Sequence, residues 1–182
     1  MMSNAVSDST SALDQQTVEE IKALTGFNEQ EIKAIYAKFL SLDPVHGLVT
    51  TLGFLRLPEL TMPLNSRVLR ALKISNLKYL DFRKFTSALS VFHVKAPLEE
   101  KLDFLFRLYD GDRDNLISRD DLNKTLTIIS GEADPALIEY AVEKSFEELG
   151  DGKQTHITRE DFGRGLSGVD IAKLISFALE ES

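Results

Sequence analysis

The stretch DGDRDNLISRDD, residues 110–121, decides the fold of this chain. Side chains at odd-numbered positions of a tight loop converge on one point, which is how a hard divalent cation obtains its oxygen ligands. Residues 102–109 before the stretch and 122–126 after it carry apolar side chains at helical spacing. The sequence therefore predicts a helix, a metal-binding loop and a second helix. The candidate ligands are the carboxylates of Asp110, Asp112 and Asp114, the backbone carbonyl of Leu116, the hydroxyl of Ser118 and the carboxylate of Asp121.

This order of helix, loop and helix matches the EF-hand pattern, with two departures. The sixth loop position, where the backbone turns into the left-handed region, holds Asn115 instead of Gly, and Asn is among the next most tolerant residues there. The twelfth position holds Asp121 instead of Glu, so bidentate contact with a large ion is strained. We expect one ion at this loop, either weakly bound Ca²⁺ or Mg²⁺.

The composition indicates a folded intracellular protein. The chain has 182 residues, 43% of them hydrophobic, and no Cys, so it carries neither disulfides nor thiol chemistry. No apolar run is long enough to span a bilayer, and no signal peptide is evident. Met1-Met2-Ser3 lacks the Gly that N-myristoylation requires, so we expect no lipid anchor. We predict a cytoplasmic protein that reaches membranes only through a partner.

Charge is unevenly distributed along the chain. Residues 1–96 carry 11 Lys/Arg against 9 Asp/Glu, whereas residues 97–182 carry 10 against 20. The net charge of −8, and basic residues without interleaved aromatics, argue against nucleic-acid binding. The basic cluster is most simply interpreted as a solvated helix face, with a partner or membrane contact as the alternative. The cluster consists of Arg67, Arg70, Lys73, Lys78, Arg83 and Lys84.

Four similar units follow one another along the chain. The spacing of the residue that follows each loop fits one helix–loop–helix unit per repeat. The sequence predicts an all-α fold of four EF-hand units in two paired lobes, with short β bridges between loops. We expect a disordered tail at 1–12, an N-terminal lobe at 13–96 with degenerate loops, and a C-terminal lobe at 97–182 with the competent loop. The residues expected to form the bridges are Val49, Leu80, Ile117 and Ile157.

Capping motifs predict where the first helices begin and end. Thr17 with Glu20 forms a capping box for a leading helix, which Gly26 ends. Asn28 with Glu31 forms the capping box of the next helix.

The other three loops lack the ligands that would replace the hydration shell of a cation. The first begins with Asp43, but it is one residue short and has Gly53 at its closing position. The second places Lys73 and Lys84 at the first and last ligand positions. The fourth, near residues 150–154, offers only Asp161 at position 12 in simple register. Whether it binds through another register is open.

Five short stretches of the sequence carry a family resemblance: LPEL at 57–60, LDFLFRLYD at 102–110, GVDIAKL at 168–174, LTGF at 24–27 and SLD at 41–43. The first three resemble calcineurin B and its homologous proteins, and the last two resemble the calcineurin-B-homologous branch. The resemblance implies two paired EF-hand lobes, a hydrophobic groove that holds an amphipathic helix, and a regulatory role. It implies a phosphatase catalytic subunit or an ion exchanger as partner. Many members carry a myristoyl group and at least two working metal sites, and we expect neither in this chain.

Surplus apolar residues point to a groove for a target helix. Phe104 and Leu108 lie one helical turn apart and off the expected core face, leaving a second apolar stripe. From about Asp170, the C-terminal segment has the spacing to cover the groove itself. With 11 Phe and only three Met, the groove is expected to be stiff and to serve few targets. The candidate groove residues are Phe82, Phe92, Phe104, Leu108, Ile171, Leu174 and Ile175.

Catalysis is not indicated. His46, His93 and His156 are dispersed and are interpreted as surface or loop residues, and no phosphate loop or dinucleotide fingerprint occurs. The main alternative to a calcium-binding regulator is a constitutive, light-chain-like subunit that grips its target without metal.

Overall fold

The computed structural model describes residues 13–60, 64–149, 155–171 and 175. Within these ranges the chain is mostly helical, as predicted, with two 3-10 turns and four two-residue strands. The predicted tail at 1–12 lies outside the described residues. The helices are α1 (Gln15–Thr25), α2 (Glu29–Leu40), α3 (Thr51–Phe54), α4 (Asn65–Ala71), α5 (Phe82–Leu89), α6 (Leu98–Tyr109), α7 (Arg119–Ser130), α8 (Pro135–Leu149) and α9 (Arg159–Gly165).

The strands join the loops in pairs, as the repeat pattern predicts. They are β1 (Val49–Thr50), β2 (Tyr79–Leu80), β3 (Ile117–Ser118) and β4 (His156–Ile157). β1 pairs antiparallel with β2 and places Val49 opposite Leu80. β3 pairs antiparallel with β4 and places Ile117 opposite Ile157. All four of these apolar side chains are buried, so each bridge also fixes a core contact.

One predicted cap is wrong. Asp14 caps α1, because its carboxylate accepts hydrogen bonds from the backbone N–H (2.8 Å) and hydroxyl (2.8 Å) of Thr17. Thr17 is therefore already inside the helix, and the Thr17–Glu20 box does not form. The end of α1 at Gly26 (φ 73°) is confirmed.

Two hydrophobic cores are joined by α6. The larger core draws on α1 to α5 and includes Phe104 and Leu108 of α6. The smaller core lies among α6, α7, α8 and β4, and Phe106 is its contribution from α6. Because one helix supplies both cores, its two apolar stripes are both occupied. The division into lobes at residue 96 stays a prediction.

The described part of the C-terminal segment returns to the larger core. Ile171 is helical, 4% exposed and a member of that core, and Ile175 is half-buried against it. Leu174 lies outside the described residues.

In the portions of the chain with described structure, no helix combines the length and apolar character needed to cross a membrane.

Candidate metal centre

Asp110 anchors the third loop where α6 ends. Its backbone N–H closes the helix by donating to the Phe106 carbonyl (2.9 Å). Its carboxylate accepts the backbone N–H of Arg113 (2.8 Å) and of Asn115 (3.2 Å). The side chain is only 5% exposed. One carboxylate thus organises the first half of the loop while remaining its first candidate ligand.

The carboxylates of Asp112 and Asp114 face solvent and accept hydrogen bonds from the loop backbone. An oxygen of Asp112 accepts the N–H of Asp114 (3.2 Å), and an oxygen of Asp114 accepts the N–H of Leu116 (2.8 Å). Carboxylate oxygens of Asp110, Asp112 and Asp114 lie within 4.8 Å of one another. Across the described ranges, no other group of three or more His, Asp or Glu side chains comes this close.

Asp121 fastens the two ends of the loop together. Its Oδ1 accepts the backbone N–H of Gly111 (3.1 Å), and its Oδ2 accepts the N–H (3.1 Å) and hydroxyl (2.6 Å) of Ser118. The Ser118 hydroxyl in turn accepts the Asp121 N–H, which completes the capping box of α7. The position-12 carboxylate is therefore engaged with its own loop and is 5% exposed. As a ligand it stays a prediction.

The loop backbone is left-handed at position 6, as the sequence predicts, and also at Arg113, which the sequence did not predict. Asn115 has φ 66°, confirming the left-handed turn at position 6, and Arg113 has φ 74°. Gly111 was missed by sequence reasoning. A Cβ on this residue would lie 2.6 Å from Oδ1 of Asp121, so a larger residue here would displace the Asp121 carboxylate.

The donor set fits a small, hard cation. All the predicted ligand atoms are oxygens, which Mg²⁺ and Ca²⁺ prefer. Three carboxylates converge from one side of the loop, and Asp112 and Asp114 are exposed, so an ion can enter from solvent. To contribute an oxygen to an ion, the Asp121 carboxylate would have to give up hydrogen bonds that it accepts from Gly111 and Ser118.

The other loops keep their fold with other interactions. The first is closed by reciprocal backbone hydrogen bonds between Val45 and Leu48 (2.9 and 3.1 Å). In the second, Lys73 stands at the first ligand position in a left-handed conformation (φ 61°). Residues 150–154 of the fourth lie outside the described residues. Hydrogen bonds from Thr158, chiefly from its hydroxyl, lower the pKa of the Asp161 carboxyl, which also pairs with Arg164.

Arg67 and Arg70 of the basic cluster do not form a solvated helix face. Arg67 Nη1 donates to the Leu108 carbonyl (3.0 Å) and to the Thr125 hydroxyl (2.5 Å). Arg70 Nη2 lies 3.5 Å from the Asp110 carbonyl. The side chains of Arg67 and Arg70, both on α4, are half-buried against the third loop. Their spacing of three residues indicates a shared helix face, but nothing in the sequence identifies the loop that this face contacts.

The predicted groove residues are buried. Phe82, Phe92, Phe104 and Leu108 all belong to the larger core, and the Phe92 and Phe104 rings meet edge to face at 5.0 Å. These side chains belong to the same buried core as Ile171 of the C-terminal segment, and Phe104 also lines a cleft of about 310 Å³ with residues of α4, α5 and α6. Their role in binding a target stays a prediction. An apolar cleft of about 240 Å³ lies elsewhere, between α7, α8 and α9, with Leu126, Leu149, Phe162 and Leu166 in its walls.

Of the three histidines predicted to be surface or loop residues, His93 lies in the turn after the 3-10 helix Ser90–Phe92. His93 is buried, with Nε2 3.1 Å from a carboxylate oxygen of Glu31 and its ring 4.7 Å from that of Phe27. His46 and His156 are exposed. The three histidines therefore do not meet in one site.

Four helix–loop–helix units, paired loop strands and a loop with converging carboxylates define an EF-hand protein. No family model matches the chain. Calcineurin B of Naegleria gruberi is 34% identical over 176 residues, which cover 93% of this chain and 98% of the relative. Calcineurin B of Yarrowia lipolytica is 31% identical over 172 residues, covering 91% and 98%. Calcineurin B type 2 of Dictyostelium discoideum is 34% identical over 125 residues, 68% of each chain. The chain belongs to the calcineurin B family.

Proposed function

We propose that the protein is a non-catalytic regulatory subunit that binds one divalent cation and buries an amphipathic helix of a larger partner. The convergence of Asp110, Asp112 and Asp114 on one point is the observation that carries the metal-binding part. Membership of the calcineurin B family supports the regulatory part. It makes a calcineurin-type phosphatase catalytic subunit the first candidate partner. An ion exchanger is the second, and we propose a cytoplasmic location for the complex.

The bound ion is proposed to be Mg²⁺, or Ca²⁺ with weak affinity. Ca²⁺ favours six to eight ligands and a bidentate carboxylate at position 12, whereas Mg²⁺ accepts six ligands including water. Asp121 is one methylene shorter than Glu, and both its oxygens are already hydrogen-bonded within the loop. The exposed carboxylates of Asp112 and Asp114 leave room for coordinated water.

The test measures metal and partner binding together. The full chain is titrated with Ca²⁺ and Mg²⁺ by calorimetry, and then with a helical peptide from the segment of a calcineurin catalytic subunit that binds calcineurin B. We expect one site per chain and saturable peptide binding. A scrambled peptide of the same composition controls for non-specific apolar contact. Two or more independent metal sites, or equal binding of both peptides, would contradict the proposal.

A constitutive, light-chain-like subunit is the second candidate. The third loop is held by hydrogen bonds of its own, because backbone N–H groups of the loop donate to the carboxylates of Asp110 and Asp121. A dye that reports exposed apolar surface separates the two candidates during a Ca²⁺ titration. A regulator responds with increased dye binding. A constitutive subunit shows the same dye signal and the same peptide affinity in Ca²⁺ and in chelator.

A further inference from the structure

The second helix–loop–helix unit contacts the metal loop of the third. Its entering helix, α4, packs along α6, which leads into the third loop. The loop of the second unit has Lys73 and Lys84 at its first and last ligand positions, so it offers a cation no carboxylate at either end. α4 nevertheless directs two guanidinium groups, those of Arg67 and Arg70, at the metal loop of its neighbour.

Arg67 connects the two helices that flank the third loop. It bonds the Leu108 carbonyl near the end of α6 and the Thr125 hydroxyl on α7. That hydroxyl donates to the backbone carbonyl of Asp121 (2.6 Å), at the closing position of the loop. A Cβ on Gly111 would lie 3.3 Å from Nη2 of Arg67, so the guanidinium also abuts the loop backbone. Arg67 therefore links the end of α6 to α7, the helix that carries the last ligand position.

Arg70 brings a positive charge to the first ligand position, and its guanidinium forms no ion pair with the residues that the structure describes. Its Nη2 reaches the Asp110 carbonyl, and its Nε is buried with no hydrogen-bond partner among the described residues. Burial and the neighbouring charges of Arg113 and Arg67 lower its pKa, opposed by Asp110 and Asp121. A cavity of about 220 Å³ at this point is lined by Arg70, Arg107, Asp110, Arg113 and Asn115. Asp110 thus lines the same cavity as three Arg residues, Arg70, Arg107 and Arg113.

We propose that Arg70 acts as a resident counter-cation that lowers the divalent-metal affinity of the third loop, and that this charge couples metal binding to α4. The inference rests on the proposed metal site. A divalent ion at Asp110 repels a guanidinium held beside that residue, and this repulsion raises the free energy of the bound state. Coupling between two sites is reciprocal, so an ion that Arg70 disfavours must in turn loosen the contact of α4.

The test compares charge variants of the full chain. Arg70→Gln removes the charge, Arg70→Lys keeps it, and Arg83→Gln is the matched control. Arg83 is exposed, pairs with Glu20 at 2.6 Å and, like Arg70, contributes one positive charge. Calorimetry with Mg²⁺ and with Ca²⁺ at low ionic strength is expected to show affinity about three- to tenfold higher for Arg70→Gln. Arg70→Lys and Arg83→Gln are expected to stay within about twofold of the wild type.

A second readout tests the transmission to α4. Hydrogen exchange of the backbone amides at 68–72 is measured with and without Mg²⁺. We expect faster exchange on metal binding in the wild type, and a smaller change in Arg70→Gln because the repulsion is gone. Circular dichroism of the metal-free variants confirms that each is folded.

The outcomes separate this inference from the proposed metal site. If the wild type binds no divalent ion, the metal site and the inference fail together. If the wild type binds one ion but Arg70→Gln and Arg83→Gln have equal affinity, only the inference fails. If Arg70→Lys binds the metal ion as tightly as Arg70→Gln, the gain in affinity comes from altered packing and not from loss of the charge, and the inference is overturned. Unchanged exchange at 68–72 on metal binding would overturn the coupling.

Discussion

Asp110 combines structural and ligand chemistry at a single residue. Its oxygens hold the backbone of Arg113 and Asn115, and one of them lies within 4.8 Å of oxygens from Asp112 and Asp114. A buried carboxylate that satisfies two backbone N–H groups is positioned before an ion arrives. Little of the binding free energy is then lost to ordering this side chain. The exposed residues Asp112 and Asp114 do not have this advantage.

Asp110→Ala is therefore expected to abolish metal binding, with affinity reduced by about 100-fold or more because charge and loop order are lost together. Calorimetry with Mg²⁺ and Ca²⁺ measures the effect. Asp120→Ala is the control, since Asp120 is an exposed carboxylate that pairs with Lys124 on α7. Metal affinity unaffected by the Asp110 substitution would place the ion elsewhere.

Asp121→Glu is expected to raise Ca²⁺ affinity by about tenfold and to reduce the preference for Mg²⁺. The added methylene lets the carboxylate reach the ion with both oxygens without pulling α7 inward. Asp161→Glu is the matched control, because Asp161 takes the same capping position at the start of α9. Competition between the two ions in calorimetry provides the measurement. Unchanged or lower Ca²⁺ affinity would refute this account of position 12.

At the scale of elements, α6 determines how the units meet. Lys101 lies within this helix, is 1% exposed, and donates from Nζ to the carbonyls of Val91 (3.0 Å) and His93 (2.7 Å). These carbonyls belong to the 3-10 turn Ser90–Phe92 and the residue after it, which link α5 to α6. Lys101 therefore satisfies buried acceptors in the connection between the two halves of the chain.

Lys101→Met is expected to lower the free energy of unfolding by about 1–3 kcal/mol, because two buried carbonyls lose their donor. Urea unfolding at neutral pH measures the loss, and Lys95→Met, at an exposed position, is the control. If Lys101→Met lowers the free energy of unfolding no more than Lys95→Met does, water replaces the ammonium group as the donor to the two carbonyls.

The burial of Lys101 also predicts that the stability of the folded protein depends on pH. Burial lowers the pKa of Lys101, since the charged form loses its hydration. Between the lowered pKa and the ordinary Lys value, the unfolded chain binds more protons than the folded one. The stability of the wild type relative to Lys101→Met should therefore rise with pH across that interval. Urea unfolding at a series of alkaline pH values measures this difference, and a flat or falling difference would contradict the assignment.

The sequence predicted the helices, turns and strand pairs better than it predicted which elements pack against one another. The Asn28–Glu31 capping box, the left-handed Asn115 and the strand pairs were predictable because each depends on neighbouring residues or on the loop repeat. The cap at Asp14 was missed because Thr17 can itself cap a helix. The burial of Phe104 and Leu108 was missed because helical spacing shows that a stripe is apolar but not which element covers it. The same limit hid the loop contacted by Arg67 and Arg70.

At the scale of the whole molecule, the chain covers its own apolar surface. The larger core holds Phe82, Phe92, Phe104 and Leu108, and Ile171 from the C-terminal segment closes over it. A target helix that uses these side chains must displace that segment. Its apparent affinity is then reduced by the fraction of molecules that are closed.

Truncation after Val169 is expected to expose this surface, since Ile171 is 4% exposed in the larger core and Ile175 packs against it. We expect increased binding of an apolar-surface dye and about tenfold tighter binding of the calcineurin-derived helical peptide, because the competing segment is gone. Val169→Ala in the full chain is the control, because Val169 is exposed and lies outside the core. Circular dichroism distinguishes an opened groove from general unfolding. A truncated chain that stays folded but binds neither dye nor peptide more strongly would show that the segment belongs to the permanent core, and self-occlusion would be wrong.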